Sequence, residues 1–564
     1  YCGKFVYFAN IQRISLLFCI IFVSANSNKR IYPTQGGMEK IKIITTLIAG
    51  LYFTTGEAQS LPAVPRLVVN ITIDQLRTDY MEAFSPLYGS GGFKKLFENS
   101  RVYTQAQYPS SRLDRASAVA TVSTGATPYD NGIVGIQWLD RETLRPVMAV
   151  DDNDCEGVMT LDKYSPRRLA VSTIGDELKV ATSGKSIVYA IAPFGEEALF
   201  GAGHAADGAF WIDNLTGQWC SSSYYSTELP AWVRSFNSGN SLSTKLKNYS
   251  WTPSSDIVGN FNYFLSGAVS KPFSHKFEGT SRYRQFKECG AINDEITNAA
   301  LACLNGTQIG ADEITDYLSI TLHAGNYKNL SGPESPMELQ DTYVRIDNAL
   351  SKVISAVEKK TGANNTLFVI TSTGYTNSAA QNLDKYRIPS GTFNISRTSA
   401  LLNMYLVALF GQGQYVEACH GAEIYLNHKL IEEKQLSLSQ ILQHCEGFLI
   451  DISGIKDVYT STRLQLGAWT PGISKIRNGY NPKCSGDILL EIAPGWNLVN
   501  DNTKEVSYCS EAYVNFPIFL YGYNIKAEKI TTPVSVERIA PTLSSCMRIR
   551  APNACSAAPL EGVK

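Results

Sequence analysis

Short apolar runs that stop at polar loops recur along the chain. Leu67, Val68, Val69, Ile71 and Ile73 form one such run, which closes at Asp74. Residues 186–191, 317–322 and 367–370 repeat the pattern, and their length and apolar content predict buried strands. Between the last two, residues 337–360 carry Leu339, Tyr343, Ile346, Leu350, Val353, Ile354 and Val357 near helical spacing, which predicts a long amphipathic helix. Residues 116–123 predict another helix, closed by Thr124-Gly125, and Gly89-Ser90-Gly91-Gly92 is turn chemistry. Strands that alternate with helices predict an α/β fold with a central, mostly parallel sheet and helices on both faces.

The pattern changes over residues 398–470. Helical spacing at 399–409 and 437–448 brackets a hairpin-like stretch at 423–429, so a smaller inserted α+β lobe is expected. Residues 487–492 and 516–521 are expected to return to the core sheet. The expected organisation is a core over 61–397, the lobe over 398–470 and the rest of the core over 471–564. No internal repeat is visible.

The start of the chain carries a different signal. A short basic stretch at 38–42, an apolar run at 43–53 and small residues at 56–60 have the order and length of a secretory signal peptide over 38–60. Residues 1–37 are then expected to lie upstream of the true start at Met38. Their apolar run at 14–23 is short for a membrane span.

Composition narrows the function classes. The chain has 564 residues, 44% hydrophobic content and a formal net charge of -1. It is long enough for a large core, and its charge gives no case for nucleic acid or an anionic membrane as main partner. Twelve cysteines are present, ten of them after Met38. An exported location permits disulfides, and Cys546 with Cys555 form a candidate local pair.

Several ordered landmarks carry a resemblance to the alkaline phosphatase superfamily, in particular its secreted bacterial monoesterases and its nucleotide pyrophosphatase/phosphodiesterase branch. Val69 to Arg77 resembles the family's first strand and its Asp-Gln-Leu/Met-Arg. Thr124-Gly125-Ala126-Thr127-Pro128 with Gly132-Ile133 resembles its Thr-Gly-x-x-Pro segment. Ala202-Gly203-His204, Gly332-Pro333 and Ile539-Ala540-Pro541 resemble later landmarks. The resemblance implies two zinc ions about 4 Å apart that clamp the attacking and leaving oxygens. It also implies Asp and His ligands and a Thr or Ser nucleophile at a helix N-terminus.

Position by position, the resemblance implies a dismantled site. The first-strand ligand is kept as Asp74. The loop at 371–375 reads Thr-Ser-Thr-Gly-Tyr where the family has Thr-Ala-Asp-His-Gly, so two ligand slots hold Thr373 and Gly374. Two more hold Gly325 and Asn329, and the last holds Asn515. The nucleophile slot falls on Arg115. The phosphate-contacting Asn becomes Ile136, and the Lys-x-Arg pair becomes Phe194 and Glu196. An anionic Glu196 repels phosphate. Only six His are present, none follows an Asp, and His323 alone is a plausible stray ligand. Ser110, Ser111 and Ser117 read as caps or surface hydroxyls.

The function expected is a catalytically inactive alkaline-phosphatase-like protein, without a cofactor. It would act as a binding or structural subunit among other cell-envelope proteins, exported to the periplasm or outer-membrane associated. No nucleic-acid partner and no membrane span in the mature chain are expected. The lobe and residues 221–226 are candidate contact regions. The alternative is a zinc-dependent phosphomonoesterase or phosphodiesterase with rearranged donors such as Asp74, Asp79, Asp114 and His323. Metal-free acyl or glycosyl chemistry has no support, since no Gly-x-Ser-x-Gly elbow occurs.

Overall fold

The alternation of side chains along the strand Leu67–Asp74 decides how the protein is layered. The computed structural model describes residues 64–563 apart from 240, 257, 259–260, 262–271, 331, 378–386, 388, 468–469, 502–504, 508–509 and 512–513. Residues 1–37 and the signal-like segment 38–60 therefore lie outside the described residues.

Leu67, Val69, Ile71 and Ile73 point into one apolar cluster with Leu318, Ile320, Phe368 and Ile370 from neighbouring strands. The helices Ile292–Gly306 and Pro336–Thr361 cover that face with Ile296, Ala299, Leu339, Ile346 and Val353. Val68 points the other way, into a second cluster with Tyr317, Leu367 and Val369. There the helices Arg115–Thr124 and Ile539–Met547 supply Ala118, Val122 and Leu543. Helices thus cover both faces, as the period-two pattern of buried strands requires.

Among the described residues the central sheet has eleven strands. Leu67–Asp74 lies at its middle, parallel to Asp316–His323 on one side and to Thr366–Ser372 on the other. Val188–Ile191 and Gly208–Ile212 extend the parallel part. Phe516–Gly522 pairs antiparallel with Thr366–Ser372 and begins the other edge. The register sets Asp74 opposite His323 and Ile73 opposite Ser372. Three parallel strands therefore end side by side.

A separate four-stranded antiparallel sheet runs Val416–His420, Glu423–Leu426, Ile488–Ile492, Ile455–Thr460. Its apolar face packs with the helices Ile395–Phe410 and Leu438–Leu449 in a cluster of its own. Ile488–Ile492 corrects an expectation, since it joins this sheet rather than the core sheet. Ile488 and Leu490 pack among Ile424, Leu426 and Val458, and a short apolar run carries no signal of which sheet receives it. Phe516–Gly522 does return to the core.

The expected Cys546–Cys555 bridge is also corrected, because both thiols are free. Cys546 is buried in the cluster around Leu543 and Met547. The Cys555 sulfur instead lies against Gly125, where an added Cβ would meet it at 2.8 Å. Among the described residues no helix is long and apolar enough to cross a membrane.

Candidate functional site

Asp74, His323 and Thr373 meet because each sits at or just past the C-terminal end of a parallel strand, on the face opposite the Ile73 and Leu322 side chains. Thr373 Oγ1 donates to Asp74 Oδ1 at 2.9 Å. His323 Nδ1 and Gln75 Nε2 both donate to Asp74 Oδ2, each at 3.3 Å. Thr373 Oγ1 also accepts from the Gln75 backbone N–H at 2.8 Å. Asp74 and His323 are 3% and 5% exposed, so the cluster is sealed from water. Burial alone would raise the Asp74 carboxyl. The His323 hydrogen bond and charge, with Arg115 behind them, outweigh it and hold the group below the usual carboxylate range.

A second group lies at the N-terminus of the helix Arg115–Thr124. Asp114 caps that helix through a reciprocal box: Oδ1 accepts from Ser117 N at 2.9 Å, and Ser117 Oγ accepts from Asp114 N at 3.0 Å. Arg115 is the first helical residue, where positive helix charge concentrates. A cation there needs an anion, and Arg115 Nε donates to Glu196 Oε1 at 2.6 Å. The guanidinium also stacks 3.8 Å from the centre of the Phe194 ring. Burial would lower the Arg115 pKa, but Glu196 and Glu197 push it up.

Lys287 completes this group. Its Nζ stands 4.2 Å from the same ring and donates to the Ile212 carbonyl at 2.9 Å. Burial pulls its ammonium down to about 8. Burial likewise pushes the Glu197 carboxyl well up, which favours its neutral form.

The other positions at which the resemblance implies lost ligands or contacts are filled or turned away. Gly374 has φ of 72°, and a Cβ there would meet Tyr108 at 2.4 Å and Phe516 at 2.8 Å. At Gly325 a Cβ would meet the His323 ring at 2.6 Å and Gln75 at 2.8 Å. The rings of Tyr108, Phe516 and His323 thus crowd the positions where ligand side chains would start. Asn329 sits in a short 3-10 turn with φ of 55°. Asn515 is exposed, and its backbone carbonyl accepts from Thr78 N at 3.0 Å. Ile136 packs its side chain against an apolar cluster that includes Trp138, and its backbone N–H donates to Asp114 Oδ2 at 2.6 Å.

The structure therefore brings Asp74, Thr373 and His323 into one cluster and Arg115, Phe194 and Glu196 into another, and places Asn329 and Asn515 in neither. The alternative donors are engaged elsewhere: Asp79 pairs with Arg77 at 2.6 Å, and Asp114 is the helix cap. Ser117 belongs to that cap, and Ser110 Oγ donates to the Arg112 carbonyl at 3.1 Å. Sequence reasoning missed Lys287, Glu197 and Gln75. Glu197 and Gln75 adjoin singled-out residues. Lys287 sits in an exposed-looking Tyr-Arg-Gln-Phe-Lys stretch that carries no local sign of burial.

This geometry, at the carboxyl ends of parallel strands, is where α/β enzymes place their chemistry. The family model for type I phosphodiesterases and nucleotide pyrophosphatases matches residues 68–514. The chain belongs to that family, within the alkaline phosphatase superfamily. It is similar to alkaline phosphatase PafA of Elizabethkingia meningoseptica, at 27% identity over 90% of this chain and 96% of that one. Alkaline phosphatase PhoV of Synechococcus elongatus is 26% identical over 91% of this chain and 98% of its own. The crystal structure of wild-type PafA superposes with a TM-score of 0.77 at 26% identity, covering 89% of this chain and 99% of that one.

These relatives correct the expectation of no cofactor. They are named alkaline phosphatases along nearly their whole length, and family membership points to zinc. The side chains seen here do not fit a pair of zinc ions. Both Asp74 oxygens already accept hydrogen bonds, and a guanidinium stands close enough to lower its pKa. Among the described residues no three His, Cys, Asp or Glu side chains gather as a metal site requires.

Proposed function

We propose that this family member keeps the alkaline-phosphatase scaffold without its turnover and serves as a binding or structural subunit in the bacterial cell envelope. The observation that carries the reading is the Arg115–Glu196 pair at 2.6 Å. In the family a nucleophile stands at this helix N-terminus and cations hold the phosphate. Here a guanidinium, which cannot be deprotonated in proteins and so offers no lone pair for attack, takes the first place. An anion takes the second and uses that guanidinium as its own counter-ion. The two groups satisfy each other, so Arg115 offers no nucleophile and its charge is already matched by Glu196.

Folds persist while sites change, and the lobe and residues 221–226 offer surface for partners. The signal-like segment at 38–60 supports export. Capture of the full chain from crosslinked envelope fractions tests the subunit role. Co-purification with one envelope protein at fixed stoichiometry supports it, and a free monomer without a stable partner contradicts it.

The names of the full-length relatives favour a second reading, a phosphatase with rearranged ligands. It requires Asp79 or Asp114 to leave the ion pair and the cap described above.

A further inference from the structure

One group of cations outside both clusters of the cleft forms no ion pair among the described residues. Lys247, Lys276 and Arg282 line a pocket of about 450 Å3 together with Tyr249, Phe277 and Glu278. Three local elements deliver them. Lys276 lies on the strand His275–Lys276, paired antiparallel with Ser250. Lys247 precedes that partner strand by three residues. Arg282 opens the helix Arg282–Lys287.

Neighbouring cations show the contrast. Lys245 pairs with Glu295 at 2.7 Å, and Arg284 pairs with Glu288 at 3.4 Å. Lys247 and Lys276 form no ion pair with a described residue. The Arg282 guanidinium hydrogen-bonds the phenol of Tyr283 at 2.9 Å. The chain as a whole has a net charge of -1, so a general excess of basic residues does not explain the cluster.

Three cations against one carboxylate, Glu278, leave the pocket with two net positive charges. All three are exposed, so water screens their mutual repulsion, but an anion seated among them is attracted to each. An Arg fork with two ammonium groups matches the several acceptor oxygens of a tetrahedral oxyanion. We propose that this pocket binds the dianionic phosphate or phosphonate group of a small organic ligand. The proposal is independent of the reading of the cleft, because none of its residues belongs to either cluster there.

Calorimetric titration of the full chain at pH 8 and low salt tests it with phenylphosphonate, a dianion at that pH, and benzenesulfonate, a monoanion of similar shape. The expected result is saturable one-to-one binding of phenylphosphonate, at least about tenfold tighter than benzenesulfonate. The double variant Lys247→Gln/Lys276→Gln, at two exposed positions, should weaken it about tenfold or more, and Glu278→Gln should tighten it. Absence of saturable binding, equal binding of both probes, or an unchanged double variant overturns the proposal.

Discussion

Arg115 donates through Nε to Glu196 at 2.6 Å while its guanidinium lies 3.8 Å from the centre of the Phe194 ring. Three residues that sequence reasoning expected at the nucleophile and phosphate-contact positions are thus one interaction. A cation at a helix N-terminus is unfavourable by itself. Glu196 offsets it, and Phe194 supplies a face that a guanidinium stacks on well.

Breaking the pair is expected to destabilise the fold. Glu196 is 4% exposed, and removing one partner of a buried pair leaves an uncompensated charge. Arg115→Ala or Glu196→Ala should each cost about 3 kcal/mol, whereas Arg115→Met with Glu196→Leu should cost clearly less than the two added together. Urea unfolding of the three variants checks this.

Restoring one family residue should harm the protein without helping it. Gly374→His places a Cβ at a φ of 72° and within 2.8 Å of both Tyr108 and Phe516. Strain and overpacking together are expected to cost roughly 2–4 kcal/mol. A fall in thermal midpoint without new phosphatase activity is the expected result.

Acid stability should depend on Asp74. Its folded-state pKa is lowered below 3.8, so its contribution is present above about pH 4 and lost as pH falls through the folded value. Asp74→Asn should lower stability at pH 7 by about 1–3 kcal/mol and narrow the gap to the parent protein toward pH 3. Urea midpoints across that range measure it.

Lys287 gives the opposite limb. Its pKa falls to about 8 from 10.5, so between those values the unfolded chain binds a proton that the folded chain does not. Raising the pH through that window favours folding, by roughly 3 kcal/mol in all. Lys287→Met removes this rise, so the stability difference between parent and variant should move by that amount from pH 7.5 to 10.5.

The hydrophobic pattern carried the central sheet well. The run Leu67 to Ile73 predicts a buried strand, and its period alone places Asp74 on the face away from Ile73. The long helix was legible because its apolar positions keep helical spacing from Leu339 to Val357. The sheet to which Ile488–Ile492 belongs was not legible, since a short, mostly apolar strand does not encode its neighbour. At the site, Thr373, Gly374 and Gly325 were singled out by the resemblance, but the contacts they make were not. Nothing local in the sequence says that Arg115 finds Glu196 across 81 residues, that Tyr108 closes over Gly374, or that Lys287 is buried against Phe194. Those relations come from tertiary contact between segments distant in the chain.

The most direct test is turnover. The purified chain, with and without added zinc, is assayed for nitrophenol release from p-nitrophenyl phosphate and bis-p-nitrophenyl phosphate. The account predicts no release above the rate of a heat-unfolded sample under either condition. Zinc-dependent release from either ester that is abolished in Asp74→Asn would contradict it.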